Sequence, residues 1–221
     1  MIRRIWHDHG LSIALIGLFL VSFIGQAWSG WYAYNEDRAV HGRPAVALGE
    51  YLGSGHFGEA TFENFESEFL QMAFYVLLTI GLYQIGSSES KRPDVVELVD
   101  LDPRDSPQKD KAPWPVRKGG LALRLYENSL SIAFALLFLT SFALHAASGV
   151  VEYNEERVSH GQTQATTLEY MASSTFWFES FQNWQSEFLS LAAMVGFSIF
   201  LRQRGSPESK PVDAPLWDTG D

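Results

Sequence analysis

Two acid–histidine pairs stand at matching places in this chain of 221 residues. Asp37 comes one helical turn before His41, and Glu156 comes one turn before His160. On a helix each pair shares a face, so imidazole and carboxylate could ligate a divalent cation. The alternative is structural, because a His at a helix carboxyl terminus complements the dipole and pairs with an acid one turn earlier. The glycine after each His favours this structural interpretation.

A second group of polar residues borders the apolar runs of the chain. We call it the boundary cluster, and its members are Gln26, Asn64, Ser67, Glu68, His145, Asn183, Ser186 and Glu187. In lipid such side chains must find partners inside the protein. They could line an ion or proton site through Glu68 and Glu187, with His145 as a titrating neighbour. Alternatively, they form interhelical hydrogen bonds that set the helix register.

Four uncharged stretches predict the elements that position these residues: Leu11–Ala27, Phe69–Ile85, Leu130–Ala147 and Phe188–Leu201. A membrane-spanning helix needs about 20 mostly apolar residues, with a range of about 17 to 25. The second and fourth stretches reach that length only if their helices start earlier, near Phe62 and Phe181. Thr61 and Ser180 are the predicted caps of these helices.

The first apolar stretch could be a signal peptide, since Arg3 and Arg4 precede it. We reject this interpretation because the same sequence recurs inside the chain from Leu130. The first stretch is therefore predicted to be a retained span.

The chain repeats itself at an offset of 119 residues, with 38 identical pairs among the 81 from Leu11 to Lys91. Each copy holds two predicted spans, so the copies run in parallel and are related by an axis along the membrane normal. The expected fold is an all-α integral membrane four-helix bundle with extramembrane helical caps. The predicted parts are a first repeat (1–91), a linker (92–119), a second repeat (120–210) and a flexible tail (211–221).

The repeat affects two further sites. Glu36 with Arg38, and Glu155 with Arg157, recur beside a tyrosine and are predicted to form surface or inter-repeat ion pairs. His56 corresponds to Thr175, so we do not include it in a symmetric site.

Two motifs carry a family resemblance. They are Tyr-Asn-Glu-x-Arg-x-x-His-Gly and Phe-x-Asn-x-x-Ser-Glu-Phe-Leu before a second span, the latter at Phe181–Leu189 and in degenerate form at Phe62–Leu70. In tandem they resemble a family of small bacterial integral membrane proteins without characterised function. The first copy departs from the pattern where Phe65 and Glu66 replace Trp184 and Gln185. The resemblance implies a bacterial membrane location and no particular activity.

Composition excludes several functions. The chain has no cysteine, hence no disulfide or thiolate metal site, and its formal net charge of -10 argues against a nucleic-acid partner. We find no paired nucleophile and base, phosphate loop or dinucleotide motif, so an enzyme is not expected.

The leading expectation is a structural or interaction module in the lipid bilayer, an accessory subunit or a self-associating protein. An outer aromatic surface motivates it, formed by Trp28, Trp31, Phe176, Trp177 and Phe178. The alternatives are small-ion or proton handling through the boundary cluster, and a metal- or haem-bearing subunit that uses His41, His145 or His160. The sequence identifies no particular cofactor.

Positive charges predict the orientation. Of the 16 Lys and Arg residues, only Arg38, Arg43 and Arg157 lie in the loops within the repeats. Positive charge stays on the cytoplasmic side. Both termini and the linker should therefore face the cytoplasm of a bacterial inner membrane.

A topology reporter fused at Gly55 tests this orientation. We expect the reporter to lie outside the cytoplasm, because the loop that it follows is poor in Lys and Arg. A reporter that proved cytoplasmic would overturn the predicted orientation.

Overall fold

The computed structural model describes residues 2–106 and 111–220, and every regular element in these ranges is a helix. Residues 107–110 of the predicted linker and Asp221 of the predicted tail lie outside the described residues. The long helices are α1 (Ile2–Val40), α3 (Gly55–Gly81), α6 (Ser129–Ser159) and α8 (Ser174–Phe200). The short ones are α2 (Leu48–Leu52), α4 (Trp114–Lys118), α5 (Gly120–Glu127) and α7 (Thr167–Met171). Two 3-10 turns, Leu98–Asp100 and Pro103–Asp105, lie in the linker.

Helices α1 and α6 are long and apolar enough to cross a membrane. At about 1.5 Å per residue, the 39 residues of α1 exceed the roughly 30 Å of a hydrocarbon core. The helix begins at Ile2, before the uncharged stretch that starts at Leu11. Its predicted end is confirmed, because α1 stops at Val40 and Gly42 adopts a φ of 67°. A positive φ is the left-handed conformation in which glycine terminates helices.

Helices α3 and α8 begin earlier than predicted. Thr61 and Ser180 were expected to be caps, yet both lie inside a helix and are buried. The helices start instead at Gly55 and Ser174. Polar residues continue the helical pattern beyond the apolar stretch, so the apolar boundary does not mark the helix start. At its other end α3 stops at Gly81, before the end of the uncharged stretch Phe69–Ile85.

The order of the helices recurs along the chain. With an offset of 119 residues, α2 coincides with α7 at both ends, and α3 coincides with α8 at both ends. The same offset aligns the identical residues of the sequence.

The chain divides into two compact units. Unit 1 comprises Met1–Phe62 and Leu144–Phe176, and unit 2 comprises Glu63–Ala143 and Trp177–Asp221.

The core of unit 1 is aromatic. Tyr34, Tyr51, Tyr170 and Phe176 are buried in it, and His145 stacks on Phe176 with ring centroids 4.8 Å apart. The prediction that places Phe176 on an outer aromatic surface is therefore wrong.

Unit 2 is held by hydrogen bonds between α3 and α8. The Gln71 side-chain nitrogen donates to the Glu187 carbonyl at 2.8 Å and to the Ser190 hydroxyl at 2.9 Å. The Trp184 indole donates to the carboxylate of Glu66, which is fully buried, at 2.9 Å. These contacts fix the register of two helices whose surfaces are otherwise largely apolar.

In unit 2, the last residue of the predicted second repeat contacts the segment that follows it. The Lys210 ammonium is buried and donates to the carbonyls of Pro215, Leu216 and Asp218 at 2.9 to 3.4 Å. Gly220 donates to the Ser87 carbonyl at 3.0 Å. One lysine side chain thus supplies hydrogen-bond donors to three backbone carbonyls of a segment that has no regular secondary structure.

Candidate functional site

The asparagine of the first motif ties a loop to its helix. The Asn35 side chain accepts from the Val46 amide at 2.8 Å and donates to the Val46 carbonyl at 3.1 Å. Asn154 makes the same two bonds with Ala165, at 2.7 and 2.9 Å. An asparagine side-chain amide carries one acceptor and one donor group, as a backbone peptide does, so it can pair with the N–H and the C=O of the same loop residue. Each loop between α1 and α2, or α6 and α7, is therefore anchored at its far end.

The arginine of the motif holds the same loop nearer its start. Arg38 donates to the Pro44 carbonyl at 2.8 Å, and its guanidinium lies 5.6 Å from the centre of the Tyr34 ring. Arg157 donates likewise to the Thr163 carbonyl at 2.7 Å.

The predicted ion pairs of these arginines are wrong. Neither Glu36 with Arg38 nor Glu155 with Arg157 forms a salt bridge in the described part of the chain, because residues two positions apart on a helix do not face each other. The Nε of each arginine donates to a loop carbonyl instead. Glu155 is paired instead with Arg43, with nitrogen and oxygen 3.3 Å apart.

Buried tyrosines from the short helices complete the packing. Tyr51 lies against Tyr34 with ring centroids 5.5 Å apart, and Tyr170 lies against Tyr153 at 5.2 Å. The hydroxyl of Tyr51 sits where a side chain at Gly30 would start, and Tyr170 does the same at Gly149. The recurring glycine is therefore required by a close approach, and the motif as a whole builds a rigid support.

The two predicted metal-ligand histidines sit at helix ends. The His41 Nδ1 lies 2.9 Å from the Asp37 carbonyl, and the His160 Nδ1 lies 2.9 Å from the Glu156 carbonyl. A carbonyl can only accept, so each Nδ1 carries the proton. In the neutral imidazole the Nε2 then bears the lone pair. The local contacts match the structural interpretation of these pairs and leave one nitrogen of each ring available.

These four residues nevertheless come together. Asp37, His41, Glu156 and His160 all line one cavity of about 450 Å³ in unit 1. Its other charged or titratable lining residues are Tyr34, Arg38, Arg43, His56, Glu152 and Glu155. Four carboxylates thus face two guanidinium groups, so the cavity carries an excess of negative charge.

His56 is a cavity residue that sequence reasoning missed. It lies in the first turn of α3, with its ring 5.2 Å from the Tyr34 ring and 5.9 Å from that of Tyr51. Its Nδ1 is buried and has no hydrogen-bond partner among the described residues. Burial lowers the pKa of His56, while Asp37 and Glu155 act in the opposite direction. Thr175 takes the place of His56 in the second copy, so no symmetric pair marks this residue in the sequence.

Glu152 is the second missed residue. It follows the apolar run of α6 and lines the same cavity. Its Oε2 is buried and accepts no hydrogen bond from any described residue. In the first copy Ala33 takes its place, so no repeated motif marks it. The sequence offered one signal for Glu152: it is an acidic residue that follows an apolar run in one copy of the repeat and not in the other.

The cavity is not a ready coordination sphere. The carboxylate of Asp37 and the Nδ1 of His41 are 3.4 Å apart. Among the described lining residues, no three donor atoms of His, Asp or Glu lie within 4.8 Å of one another. The predicted metal role of these residues stays a prediction.

The boundary cluster divides between the two units. In unit 1, Gln26 donates to Thr61 at 3.4 Å, and His145 is fully buried. A ring nitrogen of His145 and a carboxylate oxygen of Glu59 lie within 4.8 Å, and Glu59 accepts from the Tyr170 hydroxyl at 3.0 Å.

In unit 2 the hydroxyl of Ser67 donates to the Asn64 carbonyl, and that of Ser186 donates to the Asn183 carbonyl, each within its own helix. Glu68 is exposed and Glu187 is half-buried. The interhelical bonds come from the side chains of Gln71 and Trp184. An ion or proton role of Glu68 and Glu187 stays a prediction.

Replacement of Asn35 by Ala should lower the free energy of unfolding by about 1–2 kcal/mol, because the Val46 amide loses its partner while the Val46 carbonyl keeps the Trp31 indole as a donor at 2.8 Å. Asn154→Ala should cost more, about 2–3 kcal/mol, because the amide and the carbonyl of Ala165 both lose their partner. Urea unfolding of the purified protein in detergent measures it. The matched control is Gln162→Ala, an exposed loop residue, with an expected change within about 0.5 kcal/mol. Equal stability of the Asn35 and Gln162 variants would contradict the anchoring role.

The lowered pKa of His56 makes stability depend on pH. The folded state prefers neutral imidazole, so its contribution is present above the ordinary pKa of about 6.5 and is lost as pH falls below it. The free energy of unfolding should decline between about pH 7.5 and 5.5 more steeply in the wild type than in His56→Gln. His9→Gln, at an exposed site, is the control and should follow the wild type. Parallel curves for wild type and His56→Gln would refute this dependence.

Comparison with known proteins identifies a family of unknown function. No curated protein and no solved structure matches the chain. A family model described as a domain of unknown function, DUF6766, matches residues 2–221. This agrees with the resemblance to a family without characterised function. Because the match covers nearly the whole sequence, the chain belongs to the DUF6766 family.

Proposed function

We propose that this protein is a multi-pass membrane module that works by association, with α1 as its contact helix. Four spans in two parallel repeats form the bundle, and both termini face the cytoplasm of a bacterial inner membrane. The recurrence of the short and long helices at one offset supports the parallel arrangement. Residues 92–119 then connect the repeats on the cytoplasmic side.

The observation that carries this proposal is the exposure of α1. None of its most apolar stretch is buried, whereas 17% of the corresponding stretch of α6 is buried. The protein's own chain therefore leaves α1 uncovered along the part that would lie in the bilayer.

The exposed helix also carries small residues on one face. Gly10, Ala14, Gly17 and Gly25 recur at spacings that keep them within one stripe of the helix. A side chain at Gly17 or Gly25 would meet no atom within 4 Å. Glycine in a helix costs about 1 kcal/mol relative to alanine. Since no contact in the described chain requires glycine there, a contact with another helix explains it better.

The partner that fits this face is another apolar helix with small residues. In membranes, helices associate through small residues that allow the backbones to approach closely. A second copy of α1 supplies such a face, and two-fold dimers are the commonest closed assembly. The proposed function is thus self-association through α1, with the rigid loops of unit 1 as the extramembrane part of the module.

A double variant, Gly17→Leu with Gly25→Leu, tests the proposal. We expect the wild type to dimerise in detergent micelles and the double variant to dimerise at least about tenfold more weakly, a change of about 1.4 kcal/mol. Sedimentation equilibrium at several protein-to-detergent ratios measures this. Leucine is a better helix former than glycine, and its Cβ would meet no atom within 4 Å at either position, so circular dichroism should show unchanged helix content.

The matched control is Ile16→Leu, on another face of the same exposed helix segment. It should associate as the wild type does. A wild type that stays monomeric at every ratio, or a double variant that dimerises like the control, would overturn self-association through α1.

A further inference from the structure

We infer that the cavity of unit 1 binds a divalent transition-metal cation, with His56 and Glu152 as its inner ligands. This inference goes beyond self-association, because the cavity lies at the loop ends of α1 and α6 and not on the exposed apolar face of α1.

The first support is a pair of buried atoms that lack partners. The Nδ1 of His56 and the Oε2 of Glu152 both belong to residues that line the cavity, and neither makes a hydrogen bond with a described residue. Leaving a buried polar group unsatisfied costs about 1–3 kcal/mol, and more for a charged group. A carboxylate oxygen and an imidazole lone pair are both electron donors, so a cation satisfies both.

The second support is the charge around these atoms. Asp37, Glu155 and Glu156 add carboxylates to that of Glu152. Of the two guanidinium groups, that of Arg38 donates to a loop carbonyl and that of Arg43 pairs with Glu155. Three carboxylates therefore remain without a salt bridge to an arginine of the cavity, and the cavity attracts positive charge.

The third support is the hydrogen bonding of the two other cavity histidines, His41 and His160. His41 and His160 each hold a backbone carbonyl through Nδ1. Histidines that bind metals commonly donate their second ring nitrogen to a carbonyl or carboxylate, which fixes the tautomer and orients the ring. The contacts that cap the two helices therefore also prepare the rings as ligands.

The donor set selects the class of cation. Imidazole and carboxylate together suit zinc, manganese, iron and nickel, whereas magnesium and calcium prefer oxygen ligands alone. Because the donors are not gathered within 4.8 Å, binding requires the exposed His41 side chain to turn inward, or water to complete the coordination. We therefore expect an open site rather than a closed structural one.

Calorimetric titration of the full chain with zinc chloride tests the inference, after chelator treatment and in detergent. We expect one zinc ion per chain. His56→Ala and Glu152→Gln should each weaken binding at least about tenfold. A large excess of magnesium should leave zinc binding unchanged.

The matched control is His9→Ala, which removes an exposed imidazole that does not line the cavity. It should bind zinc like the wild type. No saturable binding, or binding that is lost in His9→Ala and kept in both cavity variants, would overturn the inference.

A spectroscopic readout guards against variants that merely fail to fold. Cobalt(II) bound to the wild type should give visible absorption bands that change in His41→Ala and in His160→Ala. Each cavity variant is first shown by circular dichroism to have the wild-type helix content without metal. Folded His56→Ala that retains wild-type affinity and wild-type cobalt bands would refute the site.

Discussion

The bidentate bonds between an asparagine and a loop peptide are the constraint on which unit 1 depends. Asn35 fixes Val46, and α2 begins two residues later. Tyr51 of α2 can then enter the aromatic core, and the chain turns into α3 with His56 in its first turn. Without this anchor the loop would have to pair its peptides with water. The inner wall of the cavity would then lose its fixed position.

The same argument explains why the motif recurs. Asn154, Arg157 and Tyr170 repeat the roles of Asn35, Arg38 and Tyr51. Each residue satisfies a backbone group or fills a close approach, so the motif is a device of folding. The histidine of each copy donates to a carbonyl in the last turn of its helix. Its proposed role as a ligand comes from the cavity that both histidines line.

Buried polar side chains differ in whether they have a hydrogen-bond partner. In unit 2, Gln71, Trp184 and Lys210 find partners with good hydrogen-bond distances. In the cavity of unit 1, His56 and Glu152 keep a buried atom without a partner. Ser180 and Arg202 of unit 2 also keep a buried atom without a described partner, so such atoms are not confined to the cavity. The cavity differs because two of them, an imidazole nitrogen and a carboxylate oxygen, line the same space and both can donate an electron pair to a ligand.

The sequence alone determined the all-helical class, the two helices apolar enough for a membrane, the end of α1 before Gly42 and the 119-residue recurrence. These features depend on local composition and on comparison of the chain with itself. It misplaced the starts of α3 and α8, because a helix can continue past its apolar stretch when polar residues keep the pattern.

Only the tertiary structure decided which residues meet. His56 and Glu152 each occur in one copy of the repeat, so no pattern marked them, and long-range packing alone placed them in one cavity. It also decided that Arg38 binds the carbonyl of Pro44. A pairing across a folded loop depends on geometry that residue spacing does not encode.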